Sequence, residues 1–172
     1  MTFQRFAFSL IVAATAALSM ASAQAATTVS SNFNVNLKVV PKCVFGTGTI
    51  ANIDLGSADA STSGLTTNAG STTFNIQCTK RTAYTINLSP TNTVAGADNT
   101  GKLNASNDAT QQVDYALFSD AAYKNAWGKT TGVSDTATSS ALKAYTVYAR
   151  VTSVGDVIQD NYSDKVTITV TY

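Results

Sequence analysis

The chain has 172 residues with no His and no Glu, and its 11 Lys and Arg nearly balance ten acidic residues, all of them Asp. This balance excludes a basic surface for nucleic acid or an anionic membrane, and the missing His and Glu remove the usual residues of acid–base, nucleophilic and zinc sites. Asp, Lys, Tyr and Ser remain for catalysis, but the composition favours a protein that is not an enzyme and has no cofactor.

The first 25 residues have the pattern of a secretory signal peptide. Arg5 precedes an apolar run over residues 6–20, and small residues then form a cleavage site after Ala23 or Ala25. A transmembrane anchor is the alternative, but the run is shorter than the ~20 residues that span a bilayer. We therefore predict that residues 1–25 are removed, and that the exported chain does not insert into a membrane.

Residues 32–43, NFNVNLKVVPKC, alternate apolar and polar side chains. This period of two predicts a β-strand with one apolar face, which another element must cover. Pro41 has no N–H to donate, so it ends the strand. The apolar face carries Phe33, Val35, Leu37 and Val39, and Val29 has the same parity.

The two cysteines, Cys43 and Cys78, are an even pair in a chain that we expect to be exported. Such a pair is most simply a disulfide, and the alternative is two free thiols. By the chain-entropy model, closing a loop of this length stabilises the fold by ~4 kcal/mol.

Strand patterns recur along the rest of the chain, and polar stretches rich in Ser, Thr, Asn, Gly and Ala separate them. We expect loops at residues 57–71, 90–110 and 128–141, and a short helical turn at 120–126. About seven short strands with turns between them predict an antiparallel β-sandwich. The later strands are expected at residues 49–56, 72–79, 83–89, 112–119, 144–151 and 164–172.

Three further groups of residues resemble binding sites only weakly. Asp156, Asp160 and Asp164 do not have the spacing of a calcium loop, so we interpret them as solvated acids in a turn. Residues 45–49, FGTGT, lack the Lys of a phosphate loop and predict a turn. Trp127 and Tyr123 are a possible sugar-binding platform, although packing in the fold is the preferred interpretation.

The order of motifs resembles that of the spore coat protein U domain family, which includes the pilin subunits of archaic chaperone–usher pili. The similarity covers nearly all of the chain after residue 25. It consists of the alternating strand before Cys43, the IDLG of 53–56, the F-x-I-x-C ending at Cys78, VDYALFSDAAYKNAWG at 113–128, and the closing NYSDKVTITVTY at 161–172.

The resemblance implies an incomplete immunoglobulin-like antiparallel β-sandwich, which lacks its last strand and is completed by donor-strand exchange. It implies that residues 26–40 are a donor strand and that residues 41–172 form the pilin domain. The implied donor residues are Val29, Phe33, Val35, Leu37 and Val39. The alternative is that residues 33–39 are the first strand of their own sandwich.

For the last strand, the resemblance implies a core strand that also borders the groove and pairs with the chaperone. The alternative is a core strand only. Its apolar residues are Val166, Ile168, Val170 and Tyr172.

By the same resemblance, the partners are a periplasmic pilus chaperone, an outer-membrane usher and identical or related pilin subunits. The chain is then expected in an extracellular pilus, with a role in adhesion or biofilm formation. The competing hypotheses are a secreted monomeric β-sandwich that binds a ligand or carbohydrate, and a spore or cell coat protein.

Overall fold

The computed structural model describes residues 26–60 and 68–172. The chain divides into two units, one ending at Leu37 and the other running from Lys38 to Tyr172. The predicted signal peptide, 1–25, lies outside the described residues. In the first unit, residues 26–37 have no regular secondary structure, and every strand among the described residues belongs to the second unit.

The described part of the second unit contains nine strands and no helix. No helix that could cross a membrane is present among the described residues. Every strand pair is antiparallel, and the expected all-β fold is confirmed. The strands are β1 Cys43–Phe45, β2 Ala69–Cys78, β3 Ala83–Pro90, β4 Thr100–Ala105, β5 Gln112–Phe118, β6 Val133–Thr136, β7 Lys143–Ser153, β8 Tyr162–Ser163 and β9 Val166–Thr171.

The strands form two sheets, and the expected antiparallel β-sandwich is confirmed. One sheet has six strands in the order β1-β2-β7-β5-β4-β8, and the other has three in the order β6-β3-β9. Side chains from both sheets bury one main core, in which Ile76, Ile86, Leu88, Leu117 and Trp127 are the largest fully buried residues. The period-two pattern of the sequence therefore places the core residues correctly on β2, β3, β5 and β7.

Three local expectations were wrong. Residues 49–56 form no strand, although their backbone accepts hydrogen bonds from the side chains of Thr72 and Asn68. Residues 120–126 form no helical turn, because the Asp120 carboxylate accepts the backbone N–H groups of Ala122, Lys124 and Asn125 and closes a non-helical loop.

The third error concerns two segments that composition predicts as loops but that pair as strands. β4 lies within the polar stretch 90–110, and β6 lies within 128–141. In β4, Gly101 lies directly opposite Tyr115, and a Cβ atom there would come within 2.6 Å of the tyrosine ring. Glycine is thus required where β4 meets β5, and the same residue weakens the strand pattern in the sequence.

A polar cluster joins the two sheets of the sandwich. Tyr84 on β3 and Tyr145 on β7 place their hydroxyl oxygens 2.6 Å apart, and the Tyr145 hydroxyl donates to Asp135 on β6 at 2.6 Å. Lys143 on β7 forms an ion pair with the same carboxylate. The hydrogen bonds from Lys143 and Tyr145 lower the pKa of Asp135 to about 2.

We predict that Asp135→Asn removes part of the acid dependence of folding stability. Because the folded pKa of Asp135 lies below its ordinary value of 3.8, its contribution is full above pH ~4 and is lost as the pH falls toward 2. The substitution should lower the free energy of unfolding at pH 7 by on the order of 1–2 kcal/mol. Urea unfolding from pH 7 to pH 2 measures both quantities.

The matched control is Asp156→Asn, since Asp156 is an exposed carboxylate on a loop. It should leave both the stability at pH 7 and the acid dependence unchanged. Equal behaviour of the two variants would mean that the polar cluster does not stabilise the contact between the sheets.

Candidate functional site

The C-terminal strand β9 forms one edge of the three-stranded sheet. It pairs with β3 from Thr85↔Thr171 to Pro90↔Val166, and no described strand lies on its other side. It is six residues long and contains no charge, no Pro and no Gly. It is therefore a long, regular edge on which backbone groups are open to pairing.

The ladder with β3 determines which peptide groups of β9 are open. The N–H of Thr91 donates to the C=O of Lys165 at 2.8 Å, one step beyond the pair Pro90↔Val166. In an antiparallel ladder, alternate residues bond to the same neighbour, so the odd-numbered residues of β9 bond to β3. The even-numbered residues, Val166, Ile168 and Val170, direct their N–H and C=O groups toward the open edge.

The opposite side of β3 agrees with this assignment. The N–H of Leu88 donates to the C=O of Gly128, away from β9. The C=O of Ile86 accepts the indole N–H of Trp127 at 2.8 Å. Even-numbered residues of β3 thus bond away from β9, as the alternation requires.

The side chains of the same even-numbered residues on β9 form an incomplete edge of the core. Val166, Ile168 and Val170 pack against the main core but are only half-buried, and Tyr172 just beyond the strand is 55% exposed. Thr167, Thr169 and Thr171 alternate with them and are exposed. The structure places the apolar residues of β9 on one face, as the sequence predicts.

A second part of the core is also uncovered, on the six-stranded sheet. Phe45 of β1 lies opposite the buried Ile76, and its ring centroid is 6.1 Å from that of Phe74. Phe45 nevertheless remains 45% exposed. Apolar side chains that point toward the core and stay exposed leave hydrophobic surface in contact with water.

Residues 33–39, predicted as the first strand, are not paired with any described strand. Residues 26–42 contain no strand, so residues 33–39 do not form the first strand of their own sandwich in this structure. The apolar side chains of the segment are between 71% and 95% exposed; they are Val29, Phe33, Val35, Leu37 and Val39.

The cysteines form the expected disulfide, and the alternative of free thiols is wrong. Cys43 and Cys78 lie directly opposite each other in the β1–β2 ladder, and the bond spans 35 positions of sequence. The bond fixes the first residue of β1, two positions after Pro41, to a buried residue of the main core. By the chain-entropy model, the bond stabilises the fold by ~4 kcal/mol.

Two of the three acidic residues of the weak calcium pattern, Asp160 and Asp164, act as separate hydrogen-bond acceptors, and Asp156 is exposed. Asp160 accepts from the backbone and side chain of Asn107, and Asp164 accepts from Asn92 and from the Tyr115 hydroxyl. Burial and this bond raise the pKa of Tyr115. Asp160 and Asp164 are both half-buried, so the interpretation as solvated acids holds only for the exposed Asp156. No group of acidic residues in the described part of the chain could hold a metal.

The aromatic residues of the possible sugar platform are not presented together. Trp127 is 1% exposed, and its indole N–H bonds inside the core, so packing is confirmed for this residue. Tyr123 is half-buried on the other side of β5, where it contacts Phe118 and Tyr148 and where the Arg150 guanidinium stacks on its ring. No platform formed by Trp127 and Tyr123 exists.

The model of the Spore Coat Protein U domain matches residues 29–169. The chain belongs to this family. The match spans both the exposed N-terminal segment and most of β9. Among curated protein sequences, no relative matches this spore coat protein U domain chain.

A solved structure shares the fold at low sequence identity. It is the crystal structure of the CsuC–CsuE chaperone–tip adhesion subunit pre-assembly complex from archaic chaperone–usher Csu pili of Acinetobacter baumannii. A chain of that complex is 17% identical, with a TM-score of 0.53, and the match covers 78% of the present chain. The match spans 40% of the other chain, so the present protein corresponds to less than half of its length.

Another solved structure is described as "Chaperone-tip adhesin complex is vital for synergistic activation of CFA/I fimbriae biogenesis". It is 14% identical over 71% of the present chain and 42% of the matched chain. Its TM-score of 0.42 is below the level at which a shared fold is inferred.

We predict that amide hydrogen exchange alternates along β9 in dilute solution. The N–H groups of Ile168 and Val170 should exchange at least about tenfold faster than those of Thr167, Thr169 and Thr171, because only the latter bond to β3. Residue-resolved exchange measures this, with the central strand β5 as the internal control, where both parities should be protected. Uniform protection along β9 in the monomeric protein would show that its outer edge is not open.

Proposed function

We propose that this spore coat protein U domain protein is a non-enzymatic structural subunit of an extracellular chaperone–usher pilus. The open edge of β9 is the observation that carries the proposal, because it leaves both unused peptide groups and half-covered core side chains along one line. A strand added there satisfies both at once, which is recognition by β-strand addition. The subunit is then completed by a strand from another chain.

The added strand, in this proposal, is the N-terminal segment of the next subunit. Within residues 26–40, residues 32–39 alternate polar and apolar side chains. Residues 26–40 form no strand in their own chain, and their large apolar side chains are exposed. A segment of this kind matches the requirement of an open edge above a half-covered core. The five apolar donor residues are Val29, Phe33, Val35, Leu37 and Val39.

Burial of the apolar side chains is the main favourable contribution to a junction between subunits. Burying one large apolar side chain stabilises by roughly 1.5–3 kcal/mol, and each backbone bond at the edge adds about 1 kcal/mol. Ordering the exposed segment opposes these gains, so the apolar contacts decide whether the junction holds.

Before assembly, the same edge needs another partner. We propose that a periplasmic chaperone pairs with β9 and covers Val166, Ile168, Val170 and Tyr172, and that an outer-membrane usher then exchanges it for the next subunit. The Csu complex, in which a chaperone is bound to a tip adhesion subunit, supports this order by analogy of fold. The subunit then passes through the periplasm to the cell surface, with a role in adhesion or biofilm formation.

The domain boundaries follow from the same proposal. Residues 26–40 are the donor strand, and residues 41–172 are the pilin domain, with the disulfide at Cys43 marking the start of the folded part. Pro41 separates the two, since it cannot continue a hydrogen-bonded strand.

Deleting residues 26–40 should abolish chain growth and leave the chaperone complex intact. The reason is that the deletion removes the donor and keeps β9, which accepts the strand. Co-expression with the chaperone and usher, followed by gel analysis of heat-sensitive subunit ladders, measures both outcomes. Polymerisation of the truncated chain at the normal level would refute the donor role.

Phe33→Asp or Leu37→Asp should reduce fibre growth at least about tenfold, because a buried unpaired carboxylate costs several kcal/mol at the junction. The matched controls are Asn34→Asp and Asn36→Asp, which add the same charge to the same segment on its polar face. The controls should polymerise normally, and all four variants should bind the chaperone. Equal loss in all four variants would mean that charge in the segment, not burial of its apolar face, controls assembly.

A further inference from the structure

The edges of the two sheets differ in how they discourage pairing with another copy. β1 has three residues and β8 has two, so both ends of the six-stranded sheet are short. β6 has four residues and includes Asp135. Short strands and charges are the usual means by which proteins avoid edge-to-edge association. Among the described edge strands, β9 alone has six residues and no charge.

The sequence of β9 and the residue after it is also symmetrical in its pattern. Residues 166–172 read VTITVTY, with apolar side chains at even positions and Thr at odd positions. If two such strands pair in antiparallel orientation about Thr169, Ile168 lies opposite Val170 and Val166 lies opposite Tyr172. Apolar residues then meet apolar residues on the core face, and Thr meets Thr on the solvent face, which are favourable cross-strand pairs.

The unused peptide groups belong to the even-numbered residues of β9, and this pairing requires hydrogen bonds from those residues. The open N–H and C=O groups belong to Val166, Ile168 and Val170, because the odd-numbered residues bond to β3. About the Thr169 axis, Ile168 of one copy and Val170 of the other form a hydrogen-bonded pair, and the reverse pair follows by symmetry. Thr169 lies opposite itself in a non-hydrogen-bonded pair, with Cα atoms ~4.5 Å apart.

We propose that, when no donor strand occupies it, β9 pairs with β9 of a second copy of this chain about a twofold axis at Thr169. The two three-stranded sheets then become one continuous six-stranded sheet with the order β6-β3-β9-β9-β3-β6. The contact is isologous, so it closes at two copies and does not propagate.

This pairing depends on the open edge alone and not on the proposed pilus function. The edge holds one strand at a time, so a dimer of this kind and a donor strand exclude each other. The dimer must therefore dissociate before a donor strand can pair with β9.

The test is disulfide formation between copies of the full chain that carry one added cysteine. Thr169→Cys brings two cysteines to ~4.5 Å between Cα atoms, within the roughly 4.4–6.8 Å range of a disulfide. In Thr167→Cys or Thr171→Cys, the symmetry-related cysteines lie four residues apart along the strand, about 14 Å, beyond that range. Ser134→Cys on β6 reports random collisions at the other edge of the same sheet.

We expect Thr169→Cys to form a covalent dimer at least about tenfold faster than the three other single variants under mild oxidation at low micromolar concentration. The double variant Thr167→Cys, Thr171→Cys should also form a dimer, because these positions lie opposite each other. Non-reducing gels and mass spectrometry identify the linked residues, and far-UV circular dichroism checks the fold. Equal rates of dimer formation in all single variants would overturn the proposal. Absence of a disulfide-linked dimer in Thr169→Cys, or in the double variant, would also overturn it.

Repeating the measurement with Phe33→Asp and Leu37→Asp added separates this proposal from the pilus function. If the donor role is correct, these changes leave more β9 edges unoccupied, and the yield of the Thr169→Cys dimer should rise. If the yield is unchanged while the linkage stays specific, the β9 pairing stands and donation by the N-terminal segment fails.

Discussion

A strand ladder that is satisfied on only one side is the constraint on which the rest of this protein depends. β9 bonds to β3 through its odd-numbered residues, and the even-numbered residues are left with open peptide groups and half-covered apolar side chains. Because the open groups and the uncovered side chains belong to the same residues, one added strand satisfies both. Neither a small ligand nor a surface helix does this.

An open edge is useful only if the remaining sandwich keeps its shape without the missing strand. Three groups of contacts hold the sandwich together without that strand. The Cys43–Cys78 bond ties the start of the domain to β2, and the cluster around Asp135 joins β3, β6 and β7 across the two sheets. Trp127 adds a third connection, since it packs on Phe74 of one sheet and bonds to Ile86 of the other. These contacts are independent of β9, so the edge can remain open while the core is held together.

A long uncharged edge strand can pair with the same edge of another copy, and the residues of β9 that suit a donor strand also suit this pairing. Alternating Val, Ile and Thr is what a donor strand requires of an acceptor edge, and the same alternation is complementary to itself. A charge within β9 would prevent pairing between copies and would also repel an incoming apolar donor. The edge is therefore expected to need a partner at every stage.

Much of the fold and part of the site could be predicted from the amino-acid sequence. Alternation identified the strands that hold Phe74, Ile86, Leu117 and Val147 and the inward face of β9, because a strand's two faces are set by a local period of two. The cysteine pairing followed from an even number of cysteines in a chain expected to be exported. Composition failed at β4 and β6, where glycine and polar residues pair for reasons that lie on neighbouring strands. The alternation pattern failed at residues 49–56, which lie beside β2 but bond to it through the Thr72 side chain and form no strand.

What the sequence by itself determined is which side chains of each strand share a face, and that the segment before Cys43 carries an alternating apolar face. What only the tertiary structure decided is that β9 lies at an edge, that Val166, Ile168 and Val170 carry its unused peptide groups, and that Asp135 joins two tyrosines from different sheets. The physical reason is that facing depends on adjacent residues, whereas sheet order depends on pairing between residues far apart in the chain.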